Sequence, residues 1–132
     1  MTNVPNQLIA RIAADSKYWL WINDQLVIFE GGLKRGPSPS GTYYDPVDIA
    51  PYLTKGSNTI AILLWHFGKD GFSHINSGKA ALLFEAIAPG LEIVSDASWQ
   101  CALYEAYQNT EAPFPNYRMP ESNIRFDARQ AI

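Results

Sequence analysis

The chain has 132 residues, of which 47% are hydrophobic, 13% aromatic and 17% charged, and its formal net charge is −3. We therefore expect one globular domain with its own core over residues 1–132. The lysines and arginines are scattered, which excludes the basic stripe of a nucleic-acid-binding protein. No apolar run is long enough for a membrane span and no signal peptide is evident, so we expect a soluble chain and favour a cytoplasmic location.

A period-two alternation of apolar and polar residues runs through most of the chain and predicts short strands. The predicted strands are residues 8–13, 17–23, 25–30, 42–48, 59–67, 80–88, 91–96, 98–104 and 123–129. No stretch predicts an amphipathic helix of three turns. Short strands separated by turn signals indicate an all-β fold, an antiparallel β-sandwich.

Turn residues separate these strands. Asn23 and Asp24 tolerate positive φ and predict a tight turn, so the opening strands form a hairpin or a three-stranded meander. Glycines and prolines make residues 31–41 a loop, and residues 49–53 predict a single helical turn. Pro89 and Gly90 close the hairpin between residues 80–88 and 91–96.

Residues 59–67, TIAILLWHF, are β-branched and apolar on both faces of the predicted strand. Strands of this composition are typical of the centre of a sheet, where both faces are covered. We therefore expect a central strand here and a core position for Trp65.

The strand at residues 17–23 is also apolar on both faces. Tyr18, Leu20 and Ile22 are expected to face the core, and we favour a core position for Trp21 as well. Trp19 shares its face with Lys17 and Asn23, which indicates a face that is partly wet. A protein or a sugar could cover Trp19.

Catalytic signals are weak. No pair among the thirteen Asp and Glu residues can be assigned to glycoside hydrolysis, which needs two carboxyl groups at a defined separation. Asp15, Asp45, Asp48 and Asp96 stand where turns use aspartate to accept backbone hydrogen bonds. We find no nucleophile–base pair and no cofactor motif, and we expect no enzyme activity from this chain alone and no cofactor.

A metal site is also disfavoured. His66, Asp70 and His74 are spaced by four residues, as ligands on one face of a helix would be. Glycines at 68 and 71 favour a polar loop instead, although a loop could still bring the three side chains together. Cys101 is the sole cysteine, which excludes an intrachain disulfide and a thiolate metal site.

Several segments together resemble a known family. RIAADSKYWLWIN, RGP and YYDPVDIAPYLTKGSNTIAILLWHFG, followed by SDASWQ and FDAR, are similar to the N-terminal accessory region of bacterial α-L-rhamnosidases. The matches extend from Arg11 to Arg129. The chain departs from the family at Trp19, where a polar residue is more usual, at Asp24, where glycine is usual, and in the extra segment IFEGGLK.

The resemblance implies a galactose-binding-like jelly roll, here with an incomplete set of terminal strands. In the family, hydrolysis takes place in a separate (α/α)₆-barrel domain, which this chain does not contain. We therefore expect a fragment of a larger multidomain glycoside hydrolase, and a non-catalytic accessory role for it.

Two roles fit that expectation. As a carbohydrate-binding domain it would hold rhamnose-containing glycans through loop residues chosen for their position and chemistry: Arg35, Tyr43, Tyr44, Phe72 and His74. As a purely structural domain it would use Trp19 and Trp21 as an interface, with the catalytic domain of the parent enzyme or in self-association. A sugar site predicts aromatic rings beside hydrogen-bonding side chains in a groove, whereas an interface predicts a flat apolar patch.

Overall fold

The computed structural model describes residues 1–32, 41–71, 74–110 and 124–131. These ranges contain nine strands, with single 3₁₀ turns at Ala50–Tyr52 and Ala128–Gln130. The strands are β1 (Ile9–Asp15), β2 (Lys17–Ile22), β3 (Gln25–Gly32), β4 (Asp45–Asp48), β5 (Ile60–Trp65), β6 (Ala81–Ala88), β7 (Leu91–Val94), β8 (Tyr107–Asn109) and β9 (Ile124–Phe126).

The strands form two packed antiparallel sheets and a small hairpin. One sheet has the order β4-β1-β6-β7 and the other the order β3-β2-β5, while β8 pairs with β9. Every pairing is antiparallel. The predicted all-β sandwich is confirmed.

The core lies between the inner faces of the two sheets. Strand β2 contributes Tyr18, Leu20 and Ile22, all fully buried, and β1 contributes Ala10 and Ile12. Because successive side chains of a strand point to opposite faces, every second residue of β1 and β2 enters this layer. Phe84 and Ala86 of β6, which pairs with β1, complete the core together with residues around the 3₁₀ turn at Ala50–Tyr52.

Most predicted elements are confirmed, with shifted ends. Of the two arrangements expected for the opening strands, the hairpin is confirmed as β2–β3, and the three-stranded meander is excluded because β1 and β2 belong to different sheets. Two other expectations are wrong. Residues 98–104 contain no strand. Strand β5 pairs only with β2 among the described residues and is therefore an edge strand, although its composition is that of a central one.

The single residue Ser16 separates β1 from β2, and there the chain passes from one sheet to the other. The turn expected at Asp15 is therefore a crossing from one sheet to the other. This arrangement places the end of β1, the start of β2 and the end of β5 close together, since Lys17 lies opposite Trp65.

The turn at Asn23 and Asp24 joins β2 to β3. Both residues have positive φ, 49° and 64°, as a two-residue type I′ turn requires. The Asn23 side chain also joins this turn to the neighbouring loop. Its amide nitrogen donates to the carbonyl oxygen of Tyr52 and to Asn58, each at 2.9 Å, and its oxygen accepts from the amide of Thr59 at 3.0 Å.

Replacing Asn23 by glycine is expected to lower the free energy of unfolding by about 1–2 kcal/mol, since glycine keeps the positive φ but loses the side-chain hydrogen bonds. Urea denaturation followed by tryptophan fluorescence measures the change. Asp24→Gly is the matched control, because it changes the other positive-φ residue of the same turn and is expected to be nearly neutral. Equal effects of the two substitutions would contradict a role for the Asn23 side chain.

Candidate functional site

The outer face of the β3-β2-β5 sheet is the first candidate site. We call it the aromatic face, and it consists of Lys17, Trp19, Trp21, Leu26, Phe29, Glu30, Ala61, Leu63 and Trp65. The rings of Trp19 and Trp65 are nearly parallel, with centroids 6.3 Å apart, and Phe29 meets Trp19 edge-on. Phe29 is 70% exposed. Among the described residues, no strand other than β2, β3 and β5 belongs to this sheet.

The charged residues of the aromatic face neutralise each other. The Lys17 ammonium lies 3.3 Å from a carboxylate oxygen of Glu30 and within 6 Å of the ring centroids of Trp19 and Trp65. Its side chain is only 6% exposed, so the ion pair and the ring faces replace much of its hydration. The two charged side chains of the aromatic face are therefore paired within the face itself.

The preference for core positions of Trp21 and Trp65 is wrong. Both side chains are half-buried and lie on the aromatic face, because Trp21 is opposite Ala61 and Trp65 is opposite Lys17 across the β2–β5 ladder. Side chains alternate between the two faces of a strand, so both tryptophans lie on the face opposite to the core-facing side chain of Tyr18. Trp19 lies on the same outer face.

A buried polar cluster around Asp15 is the second candidate. One carboxylate oxygen accepts hydrogen bonds from the Ser16 hydroxyl and from His74 Nε2, each at 2.8 Å. The other accepts from the backbone amide of Ser77 at 2.6 Å and from the Ser77 hydroxyl. His66 Nδ1 lies 3.3 Å from the backbone oxygen of Asp15. The turn role expected for Asp15 is wrong, because His74 and Ser77 are distant from it in sequence and its side chain is only 8% exposed.

The pKa of Asp15 is determined by two opposing effects. Burial alone would raise it, because the charged form loses water. Hydrogen bonds from Ser77, Ser16 and His74 to the ionised carboxylate outweigh burial and lower the pKa to about 2. Asp15 is therefore ionised at neutral pH, and since a carboxylate can only accept, His74 Nε2 carries the proton in this contact.

This cluster fastens the loop after β5 to the sheet. Ser16 Oγ accepts from the backbone amide of Phe67 at 3.0 Å, and the Phe67 ring meets those of Trp65 and His74 edge-on. Both serine hydroxyls donate to Asp15 and not to an imidazole. The geometry is thus that of a structural clamp, and it differs from a nucleophile–base–acid relay, in which the serine would donate to histidine.

Three of the five residues expected to contact sugar lie in the described part of the chain, where Tyr43 and Tyr44 are exposed but His74 is buried. Tyr43 and Tyr44 are exposed and lie just before β4. His74 is buried in the Asp15 cluster, with its Nδ1 atom unpartnered among the described residues. Arg35 and Phe72 lie outside the described residues.

Tyr44 lies near a polar group that the sequence reasoning missed. Arg11 of β1 and Glu85 of β6 are opposite each other, with a guanidinium nitrogen 2.7 Å from a carboxylate oxygen, and the Tyr44 side chain interacts with the same guanidinium. The pair is exposed on the outer face of the four-stranded sheet. The alternation in β1 and β6 could have placed both residues outward, but their register could not be read from the sequence.

The other three aspartates expected in turns differ in their contacts. Asp48 accepts from the amide of Ala50, and Asp96 accepts from the amide and hydroxyl of Ser98, as turn residues do. Asp48 also accepts from the amide of Leu8, 40 residues away. Asp45 instead accepts from the Tyr18 hydroxyl and the amide of Gly32.

Asp70 accepts from the amide of Asn76 and is not part of the Asp15 cluster. Within the described ranges no group of three His, Cys, Asp or Glu side chains is arranged to hold a metal ion. In the same part of the chain, no helix is both long enough and apolar enough to cross a membrane.

Comparison with known proteins returned no relative: the chain matches no family model, no curated protein and no solved structure. The resemblance to α-L-rhamnosidase accessory regions therefore stays a prediction.

Proposed function

We propose that this chain is a non-catalytic accessory domain of an α-L-rhamnosidase, with the galactose-binding-like jelly roll as its finer fold class. In this proposal it supports the catalytic domain of the parent enzyme by packing against it through the aromatic face. The sequence segments between Arg11 and Arg129 support the family, and the all-β sandwich is the fold class that the proposal requires.

The observation that carries the supporting role is the composition of the aromatic face. Its seven apolar residues form one surface across three strands, and its two charged residues, Lys17 and Glu30, pair with each other. Protein interfaces have such apolar centres, whereas a sugar site needs polar side chains placed to bind hydroxyl groups.

A two-dimensional amide NMR titration of this chain tests the proposal. With the barrel domain of the parent enzyme added in trans, we expect shifts at Trp19, Trp21 and Leu26, and no shifts with L-rhamnose or a rhamnosyl disaccharide. Leu26→Lys is expected to weaken the barrel-induced shifts, and Leu83→Lys, on the outer face of the other sheet, is the matched control. Unchanged spectra with the barrel would rule out packing through this face.

A carbohydrate-binding role is the second candidate, and the surroundings of Tyr44 favour it. Its exposed ring lies beside the Arg11–Glu85 pair, which can donate to and accept from sugar hydroxyls. In the same titration, shifts at Tyr43, Tyr44 and Arg11 with L-rhamnose, lost in Tyr44→Ala, would establish this role. The non-catalytic assignment is tested with an aryl α-L-rhamnoside, for which turnover abolished by a single carboxylate substitution would overturn it.

A further inference from the structure

One edge of strand β5 is unpaired in the part of the chain that the structure describes. Among the described residues it pairs only with β2, in an unbroken register from Ile60 opposite Ile22 to Trp65 opposite Lys17. The oxygens of Thr59 and Trp65 accept from amides on the β2 side, at 3.0 and 3.1 Å. Backbone direction alternates along an antiparallel ladder, so the peptide groups of the even-numbered residues 60, 62 and 64 point away from β2.

The other sheet edges carry features that hinder further pairing. Strand β4 contains Pro46 and has an aspartate at each end, β7 has only four residues and includes Glu92, and β3 has register shifts and a positive φ of 61° at Glu30. Short strands, prolines, charges and bulges protect edges against added strands. Residues 60–65 contain no charge, no glycine and no proline, and their register has no shift.

Burial gives an independent indication at the same edge. The core-facing side chains of β5, Ile60, Ile62 and Leu64, are only half-buried, whereas those of the adjacent β2 are fully buried. A further strand beside β5 would cover these side chains. It would also account for the composition of β5, which is that of a strand flanked on both sides.

We propose that β5 pairs antiparallel with β5 of a second copy of this chain, across a two-fold axis at Leu63, to form a continuous six-stranded sheet. In this register Leu63 faces its own counterpart, and Ala61 faces Trp65 of the second copy, so a small side chain lies opposite an indole. The uncharged strand brings no like charges together. This inference does not rest on the proposed function.

A second copy is the occupant that the symmetry favours. An antiparallel pair of identical strands is an isologous interface, in which both copies use the same strand edge. Pairing therefore occupies this edge in both copies and gives a closed dimer. Because the edges at β3, β4 and β7 are protected, growth stops at the dimer and does not continue into a fibre.

Sedimentation velocity over a concentration series tests the association. We expect a monomer–dimer equilibrium that Leu63→Lys abolishes, because two ammonium groups would then meet at the axis. Leu26→Lys is the matched control, since it removes the same side chain from the same face but from strand β3, and it is expected to dimerise like the natural chain. A monomer at every concentration up to millimolar would overturn the proposal. So would a dimer that Leu26→Lys dissociates and Leu63→Lys does not.

Disulfide trapping tests the register and does not depend on the lysine variants. In a Cys101→Ser background, Leu63→Cys is expected to cross-link on oxidation, because opposite residues at a non-hydrogen-bonded position have Cα atoms about 4.5 Å apart, within disulfide range. Ala61→Cys is the control, since its counterpart would lie four residues away along the strand, about 13 Å. Cross-linking of Ala61→Cys but not Leu63→Cys would overturn the two-fold axis at Leu63.

Discussion

Replacing Asp15 by asparagine is expected to lower the free energy of unfolding at pH 7 by about 3 kcal/mol, a typical cost of breaking a buried charged network. The carboxylate accepts from the Ser16 hydroxyl, His74 Nε2 and both donors of Ser77. Asparagine offers one acceptor oxygen, and its amide group would direct hydrogens at some of these donors. Urea denaturation at pH 7 measures the loss, and Asp96→Asn, an exposed turn aspartate, is the control expected to leave the midpoint nearly unchanged.

The effect of Asp15→Asn should depend on pH in a defined direction. The pKa of Asp15 is lowered from 3.8 to about 2 in the folded chain. A group whose folded pKa is depressed contributes stability that is complete above its unfolded pKa and is lost as pH falls towards its folded pKa. The difference in stability between the natural chain and Asp15→Asn should therefore be constant from pH 7 to about 5 and shrink below about 4. A difference that grows on acidification would contradict an ionised Asp15.

Replacing Gly31 by alanine is expected to lower the free energy of unfolding by about 3 kcal/mol, the upper part of the range for overpacking in a core. A Cβ atom at this position would lie 2.6 Å from Cε1 and 2.7 Å from the hydroxyl oxygen of Tyr18. The Tyr18 side chain is fully buried and its hydroxyl donates to Asp45 at 3.0 Å, so the ring cannot withdraw without losing that bond.

A double-mutant cycle identifies the cause. In a Tyr18→Leu background, which lacks the clashing atoms, Gly31→Ala should cost little, giving a coupling energy of about 2 kcal/mol between the two sites. Gly41→Ala is the control, because no described residue lies within 4 Å of a Cβ there and its φ is not in the left-handed region. Additive effects of Gly31→Ala and Tyr18→Leu would show that the steric explanation is wrong.

Local features of the fold were predictable from the sequence. The β2–β3 turn was predicted because Asn23 and Asp24 adopt positive φ readily, and the burial of Tyr18, Leu20 and Ile22 follows from their period of two. The hairpin at Pro89 and Gly90 and the helical turn near Ala50 also depend on neighbouring residues only.

The candidate site was less predictable. Trp21 and Trp65 were expected in the core because hydrophobicity alone does not say which face of an apolar strand is covered. The four-residue spacing of His66, Asp70 and His74 raised the hypothesis that these three side chains form one site. In the structure both histidines instead contact Asp15, more than 50 residues away. A local sequence pattern does not predict a contact between residues so far apart in the chain.

The sequence by itself determined the all-β class, the positions of most strands and turns, and the alternation that separates Tyr18 from Trp19, because these follow from backbone preferences and side-chain period. Only the tertiary structure decided that β1 and β2 belong to different sheets, that β5 lies at an edge, and that Asp15 joins Ser77 and His74. The physical reason is that strand order and buried polar pairing are fixed by contacts between residues distant in sequence, which depend on how the two sheets pack.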